Sequence, residues 1–189
     1  MATAARGGGL AGHFVAMARN NIWSNHRLLR ACEALTPAEF AAPRTSFFPS
    51  LRATLNHILW VDTYYIDALE RDPTVLKRYD DPPPDFADAA SLHDPQIASD
   101  RRLVGFCQRQ TEATLAEGLV LPRPNRTPPP STVASILEHL FQHQIHHRGQ
   151  AHAMLAGTAV KPPQLDEFFL AGEEPLRRDE LRALGLPET

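Results

Sequence analysis

Apolar residues recur at threes and fours through four long stretches of the chain, which is the spacing of helices with one buried face. The first stretch runs from about His13 to Leu35 and carries Phe14, Met17, Ala18, Ile22, Leu28, Leu29 and Cys32. Thr36-Pro37 should end it, because the residue before a proline is pushed out of the helical region. A loop through Ala42-Pro43 and Phe48-Pro49 leads to Ser50, a candidate cap for a second helix over about Leu51 to Glu70. Leu51, Leu55, Ile58, Leu59, Asp62, Ile66 and Leu69 fall on one face of that helix. Trp60, Val61, Tyr64 and Tyr65 fill much of the rest, so it should be buried on more than one side.

The run from Arg71 to about Pro95 is rich in Asp and Pro, including Asp80-Asp81-Pro82-Pro83-Pro84-Asp85, and predicts no helix. A third helical pattern covers roughly Gln96 to Gly118. A second proline-rich loop, Pro122 to Pro130, precedes a fourth helix from about Thr132 to Ala156, stopped at Gly157. Two short candidate helices follow, Leu165–Leu170 and Pro175–Leu184. No stretch alternates with period two for long enough to be a strand. The prediction is an all-α fold, a four-helix bundle with short extra helices at the C-terminus. The long connection between helices two and three could run back along the bundle and give an up-down-down-up order. Residues 11–189 are expected to form a single domain behind a loose Ala/Gly-rich tail over residues 1–10.

Composition narrows the picture. The 189 residues are 43% hydrophobic and 22% charged, enough apolar material for the core of one ordinary domain. A net charge of −3 and a near absence of lysine argue against nucleic acid as a partner. No stretch approaches the roughly 20 apolar residues of a membrane span. The N-terminus lacks the apolar core of a signal peptide, and the expectation is a cytoplasmic protein whose Cys32 and Cys107 are buried, reduced thiols.

Nine histidines are the unusual item, and five of them (His139, His143, His146, His147 and His152) fall within fourteen residues. Residues four apart on a helix are stacked neighbours, so His143 and His147 can turn two imidazole nitrogens onto one point. A third ligand must come from another helix, and His57 is the histidine in the core part of helix two. The pair lies in an apolar stripe of Ile136, Leu140, Phe141, Ile145 and Met154. Burying unpartnered imidazoles there would cost a few kcal/mol, which a shared cation removes. No Glu follows the first histidine, so the general base of a zinc-protease helix is missing. His139 is a candidate ligand, supporting group or surface residue, with the supporting role favoured because three ligands on one straight helix cannot all reach one ion. Asp62 is a candidate acceptor for an imidazole N–H. Arg148 is either a salt-bridge partner within the bundle or a holder of an anionic substrate. Gly149, in mid-helix, predicts a close approach by something else.

Three segments carry a resemblance: NNIWSNHRLL over Asn20–Leu29, SLRATLNHILWVD over Ser50–Asp62, and HLFQHQIHHRGQAHAML over His139–Leu155. In these the chain resembles the DinB-like (DinB/YfiT-like) family of metal-binding four-helix-bundle proteins, which includes thiol-dependent transferases. The resemblance implies the up-down-down-up bundle, a metal held by three histidines that map onto His57, His143 and His147, zinc or nickel as that metal, and a homodimer. The functional expectation is a metal-dependent enzyme of the thiol S-transferase or hydrolase type acting on a small molecule. The alternative is a non-catalytic metal-containing protein that binds a small molecule or serves a stress response. Three neutral ligands leave an open position on the ion, as in catalytic rather than structural zinc sites.

Overall fold

The computed structural model describes residues 9–77 and 84–187, and the fold is all-α. The tail expected over residues 1–10 lies mostly outside the described residues, as does much of the acidic proline run. Helix α1 spans Leu10–Cys32, three residues ahead of the predicted register at both ends. Pro37 does more than stop it. Thr36 and Glu39 form a reciprocal capping box that starts a short helix α2, Pro37–Ala41, with proline in its first turn. The Glu39 amide donates to Thr36 Oγ1 at 3.2 Å, and the Thr36 amide donates to Glu39 Oε2 at 2.9 Å.

Helix α3, Leu51–Leu69, begins where expected, with Ser50 Oγ accepting from the Ala53 amide at 3.1 Å. The third long helix departs from expectation. Helix α4 spans Ala89–Gln108 and carries Pro95 inside it. Asp88 caps it by accepting from the Ser91 amide at 2.8 Å, so the helix is already nucleated when the proline arrives. Proline leaves the carbonyl four residues back, that of Ser91, without its helical partner. Ser91 is exposed, so water can satisfy that carbonyl, while Leu92, Gln96 and Ile97 are buried along the same turns. Burial therefore outweighs the local penalty.

The same helix ends at Gln108 rather than Gly118. Thr111 caps a separate four-residue helix α5, Glu112–Leu115, and a two-residue hairpin follows. Its strands β1 (Gly118–Leu119) and β2 (Ser131–Thr132) pair antiparallel and are too short to show as alternation in sequence. Helix α6, Val133–Ala156, matches the prediction, with Thr132 Oγ1 accepting from the Ser135 amide at 3.1 Å and Gly157 at its end. Residues 165–170 form turns instead of a helix. A 3-10 turn over Ala171–Glu173 runs into α7, Glu174–Ala183.

Helix α1 packs against α4 and α6, and α3 packs against the same two. Helix α7 folds back onto α1, where Glu180 Oε2 accepts from Trp23 Nε1 and Arg27 Nε, each at 2.7 Å. The apolar core divides into two clusters. One contains Phe14, Ile22, Ile66, Leu103 and Leu140, the other Leu28, Leu55, Leu59, Leu92 and Leu155. Between them, each long helix contributes buried polar residues: Asn21 and Asn25, Asp62, Gln96 and Asp100, Gln144 and Arg148. Cys32 and Cys107 are buried free thiols, pushed up to about 12 by desolvation. Among the described residues, no helix is long and apolar enough to cross a membrane.

Candidate metal centre

Helix geometry stacks His143 and His147 on one face of α6, with ring centroids 4.4 Å apart. Helix α3 brings the His57 ring to 5.1 Å from the first and 4.9 Å from the second. One candidate ligand atom from each residue falls within 4.8 Å of the other two. His57 Nε2 and His143 Nε2 are 3.1 Å apart. Two nitrogens bound at about 2.0–2.1 Å to a tetrahedral ion stand roughly 3.3 Å from each other, so this edge already has ligand spacing.

The electrostatics favour the ligand form. Burial, and then the neighbouring His147, lowers His57 to about 4. Burial lowers His143 to about 3, helped by His147, His57, His139 and His146. His147 is also lowered, chiefly by burial, with Gln150 acting the other way. At neutral pH these imidazoles are therefore uncharged, and their lone pairs are available.

Two further details test the fit of a cation. Nδ1 of His143 is buried without a hydrogen-bond partner, and its Nε2 meets another imidazole nitrogen, with which it can share one proton at most. Gln150 Oε1 sits 2.8 Å from His147 Nδ1. An amide oxygen can only accept, so Nδ1 carries the proton and Nε2 is left to ligate. Gln150 in turn lies 3.0 Å from His146 Nε2. The donor set is three neutral imidazoles, one of them oriented through its second nitrogen, and it suits a divalent transition-metal ion.

Phe48 covers the triad, its ring centroid 4.4 Å from His57 and 5.5 Å from His147. The loop that carries it is closed by the Arg44 amide donating to the Pro49 carbonyl at 2.8 Å. On another side, His143 also lines a cavity of ≈ 170 Å³ walled by Trp60, Tyr64 and Tyr65.

The remaining residues singled out in the sequence land elsewhere. His139 is exposed, stands 5.3 Å from the Tyr65 ring and lines the same cavity outside the triad. Asp62 meets no imidazole. Its Oδ2 accepts from Gln96 Nε2 at 2.8 Å and from Gln144, and its Oδ1 is buried without a partner. Arg148 is buried and donates to Asn21, to Asn25 Oδ1 at 3.1 Å and to Gln144 Oε1 at 3.2 Å. It is part of the polar layer, with 5% of its surface exposed. Gly149 is exposed, and among the described residues nothing lies within 4 Å of where its Cβ would be, so no close approach there explains it.

Sequence reasoning missed Gln150, although its spacing of three from His147 announces it. It also missed a pair between α1 and α4, where His26 Nδ1 lies 2.9 Å from His93 Nε2 and His93 Nδ1 lies 3.0 Å from Glu33. Those residues are far apart in the chain, and no local spacing joins them.

Fold and site together define a mostly helical protein with a three-histidine group able to hold a metal ion. A sequence profile of the DinB family matches residues 3–178, and the chain belongs to that family. It is also similar to Protein DinB of Bacillus subtilis (strain 168), with 24% identity over 148 residues, covering 75% of this chain and 85% of the relative.

Proposed function

We propose that His57, His143 and His147 hold one divalent transition metal ion, zinc or nickel, and that the protein is a metal-dependent enzyme of the thiol S-transferase or hydrolase type. The observation that carries this is the meeting of three uncharged imidazoles beside a cavity, with His143 belonging to both. A cation that only stapled helices would need no cavity next to it. Bound there, the metal supplies a Lewis acid that brings a thiol or a water toward its nucleophilic, deprotonated form near neutral pH. The chain's own groups do the rest. Gln150 fixes the His147 ring and its tautomer, Phe48 shields the triad from bulk water, and the walls of the cavity position a small molecule against His143.

The same reading takes the helices as a four-helix bundle in up-down-down-up order. The packing of α1 and α3 each against α4 and α6 supports it, because the first two long helices then stand diagonally opposite. Residues 11–189 are read as one domain, supported by the return of α7 onto Trp23 and Arg27.

The test is metal content by mass spectrometry on untagged protein, for wild type and His143→Ala. About one metal per chain, lost in the variant, is expected. A folded wild type that carries no metal and refuses added zinc and nickel overturns the reading. A metal-loaded protein that turns over no thiol, electrophile or ester is the small-molecule-binding alternative.

A further inference from the structure

The loop between α2 and α3 is fixed at both ends. The Arg44 amide donates to the Pro49 carbonyl at 2.8 Å, which closes a neck around residues 45–48. Arg44 Nη1 donates to the carbonyls of Glu39 and Ala42, each at 2.9 Å, and so ties one side of the neck to the end of α2. On the other side the buried Ser50 caps α3 through the Ala53 amide. Pro43 and Pro49 restrict the backbone at the two ends.

Inside the neck the situation reverses. Among the described residues, none of the four at positions 45–48 makes a hydrogen bond to the rest of the protein. Ring contacts hold them instead. The Phe48 ring centroid is 4.4 Å from that of His57 and 5.5 Å from that of His147, and Phe47 packs edge-on against Phe48 at 4.9 Å. Phe47 is itself 76% exposed, so its own burial adds little. Beneath this cover His147 is 6% exposed. The cavity on the other side is lined by His143 and, among the described residues, by neither His57 nor His147.

We propose that residues 45–48 are a lid hinged at the Arg44–Pro49 bridge. Its opening lifts Phe48 off His57 and His147, and this is the step by which a metal ion enters and leaves the triad. That an ion passes it rests on the metal-centre reading, whereas the opening itself stands on the loop alone. A tilted or edge-on ring pair shifts an equilibrium by roughly two- to tenfold, and Phe48 makes two such contacts with the triad. Removing that ring should therefore raise the open fraction about tenfold. A gate acts on entry and exit alike, so both rates rise while the affinity stays where it was.

Two measurements on the full chain test this, for wild type, Phe48→Ala and Phe47→Ala. The first follows zinc uptake by chelator-treated protein, and zinc release to an excess of a colorimetric chelator, in stopped flow. Both rates should rise about tenfold in Phe48→Ala and a few-fold in Phe47→Ala, with zinc affinity unchanged within about threefold. The second needs no metal. Diethylpyrocarbonate modification of His57 and His147, read by mass spectrometry on chelator-treated protein, should quicken about tenfold in Phe48→Ala, while that of the exposed His139 stays constant. Circular dichroism checks folding, and the exposed Phe47 supplies a readable variant if Phe48→Ala does not fold. Modification and exchange unchanged within about twofold in both variants overturn the proposal. So does zinc affinity weakened about tenfold at an unchanged uptake rate, because Phe48 would then shape the site without gating it. Failure of the metal reading appears separately, as wild type that takes up no zinc while histidine modification still responds to Phe48→Ala.

Discussion

Replacing Arg148 by methionine removes the cation of the polar layer that crosses the four long helices. Arg148 is 5% exposed, and Asp62 and Asp100 are each 1% exposed. Burial lowers Arg148 to about 10, which leaves it charged at neutral pH. Desolvation pushes Asp100 up to about 6 and Asp62 well above its ordinary value, so the layer sets one guanidinium against two carboxyl groups whose burial favours the protonated form. Methionine preserves apolar volume but deletes the donors to Asn21, Asn25 and Gln144, and leaves a buried carboxylate without a counter-charge. Breaking such a buried arrangement from one side costs about 3–5 kcal/mol. Total stability is on the order of 5–15 kcal/mol. A change of that size moves the melting temperature of a chain this long by roughly 6–20 °C. The loss also depends on pH, with a sign that can be checked. Both carboxyls titrate above their unfolded value of 3.8, so their contribution is complete below it and is lost as pH rises through about 6 for Asp100. Without Arg148 both pKa values rise further, and the deficit of the variant is larger at about pH 8 than at about pH 5. Thermal melts followed by helical circular dichroism at both pH values, on chelator-treated wild type, Arg148→Met and Arg148→Met/Asp100→Asn, measure this. The double variant should melt above the single one. A drop of less than about 3 °C, or an equal drop at both pH values, would refute the charge balance described here.

Two further outcomes follow from the geometry. Gly149→Ala should stabilise the chain by roughly 1 kcal/mol, because the site is exposed, lies inside α6 and has nothing within 4 Å of the added methyl. A lower urea midpoint would reveal a contact made by a partner at this face. With His57 lowered to about 4 and His143 to about 3, protons compete poorly for the ligand nitrogens, so metal measured after dialysis should persist at about pH 5.5 and be lost toward about pH 4. Release already complete at about pH 6 would mean that the imidazoles titrate as solvated groups.

Legibility from sequence followed the range of the interaction. Helix α6 and its cap were readable because Thr132, the apolar stripe and Gly157 are all local. The triad was readable because two members are one turn apart and His57 lies in the core part of the facing helix. Pro95 misled, because its penalty is local while the burial of Leu92, Gln96 and Ile97 that outweighs it is tertiary. Asp62 was aimed at an imidazole and meets Gln96 and Gln144 instead, a choice made only when α3, α4 and α6 come together. The same limit hid His26 and His93. Gly149 follows neither pattern, and nothing in the structure explains it.

The polar layer also acts as a vernier between helices. Apolar ridges tolerate sliding, since one leucine replaces another at little cost. A helix slipped by one turn moves about 5.4 Å and would separate its polar groups from their partners on the neighbouring helices. Asp62 lies five residues beyond His57 on α3, and its partner Gln144 directly follows His143 on α6. Aligning that buried pair therefore aligns the histidines, whose ligand atoms span no more than 4.8 Å. One slipped turn exceeds the whole cluster, so the alignment of the three histidines is set by amides and carboxyl groups that lie outside it.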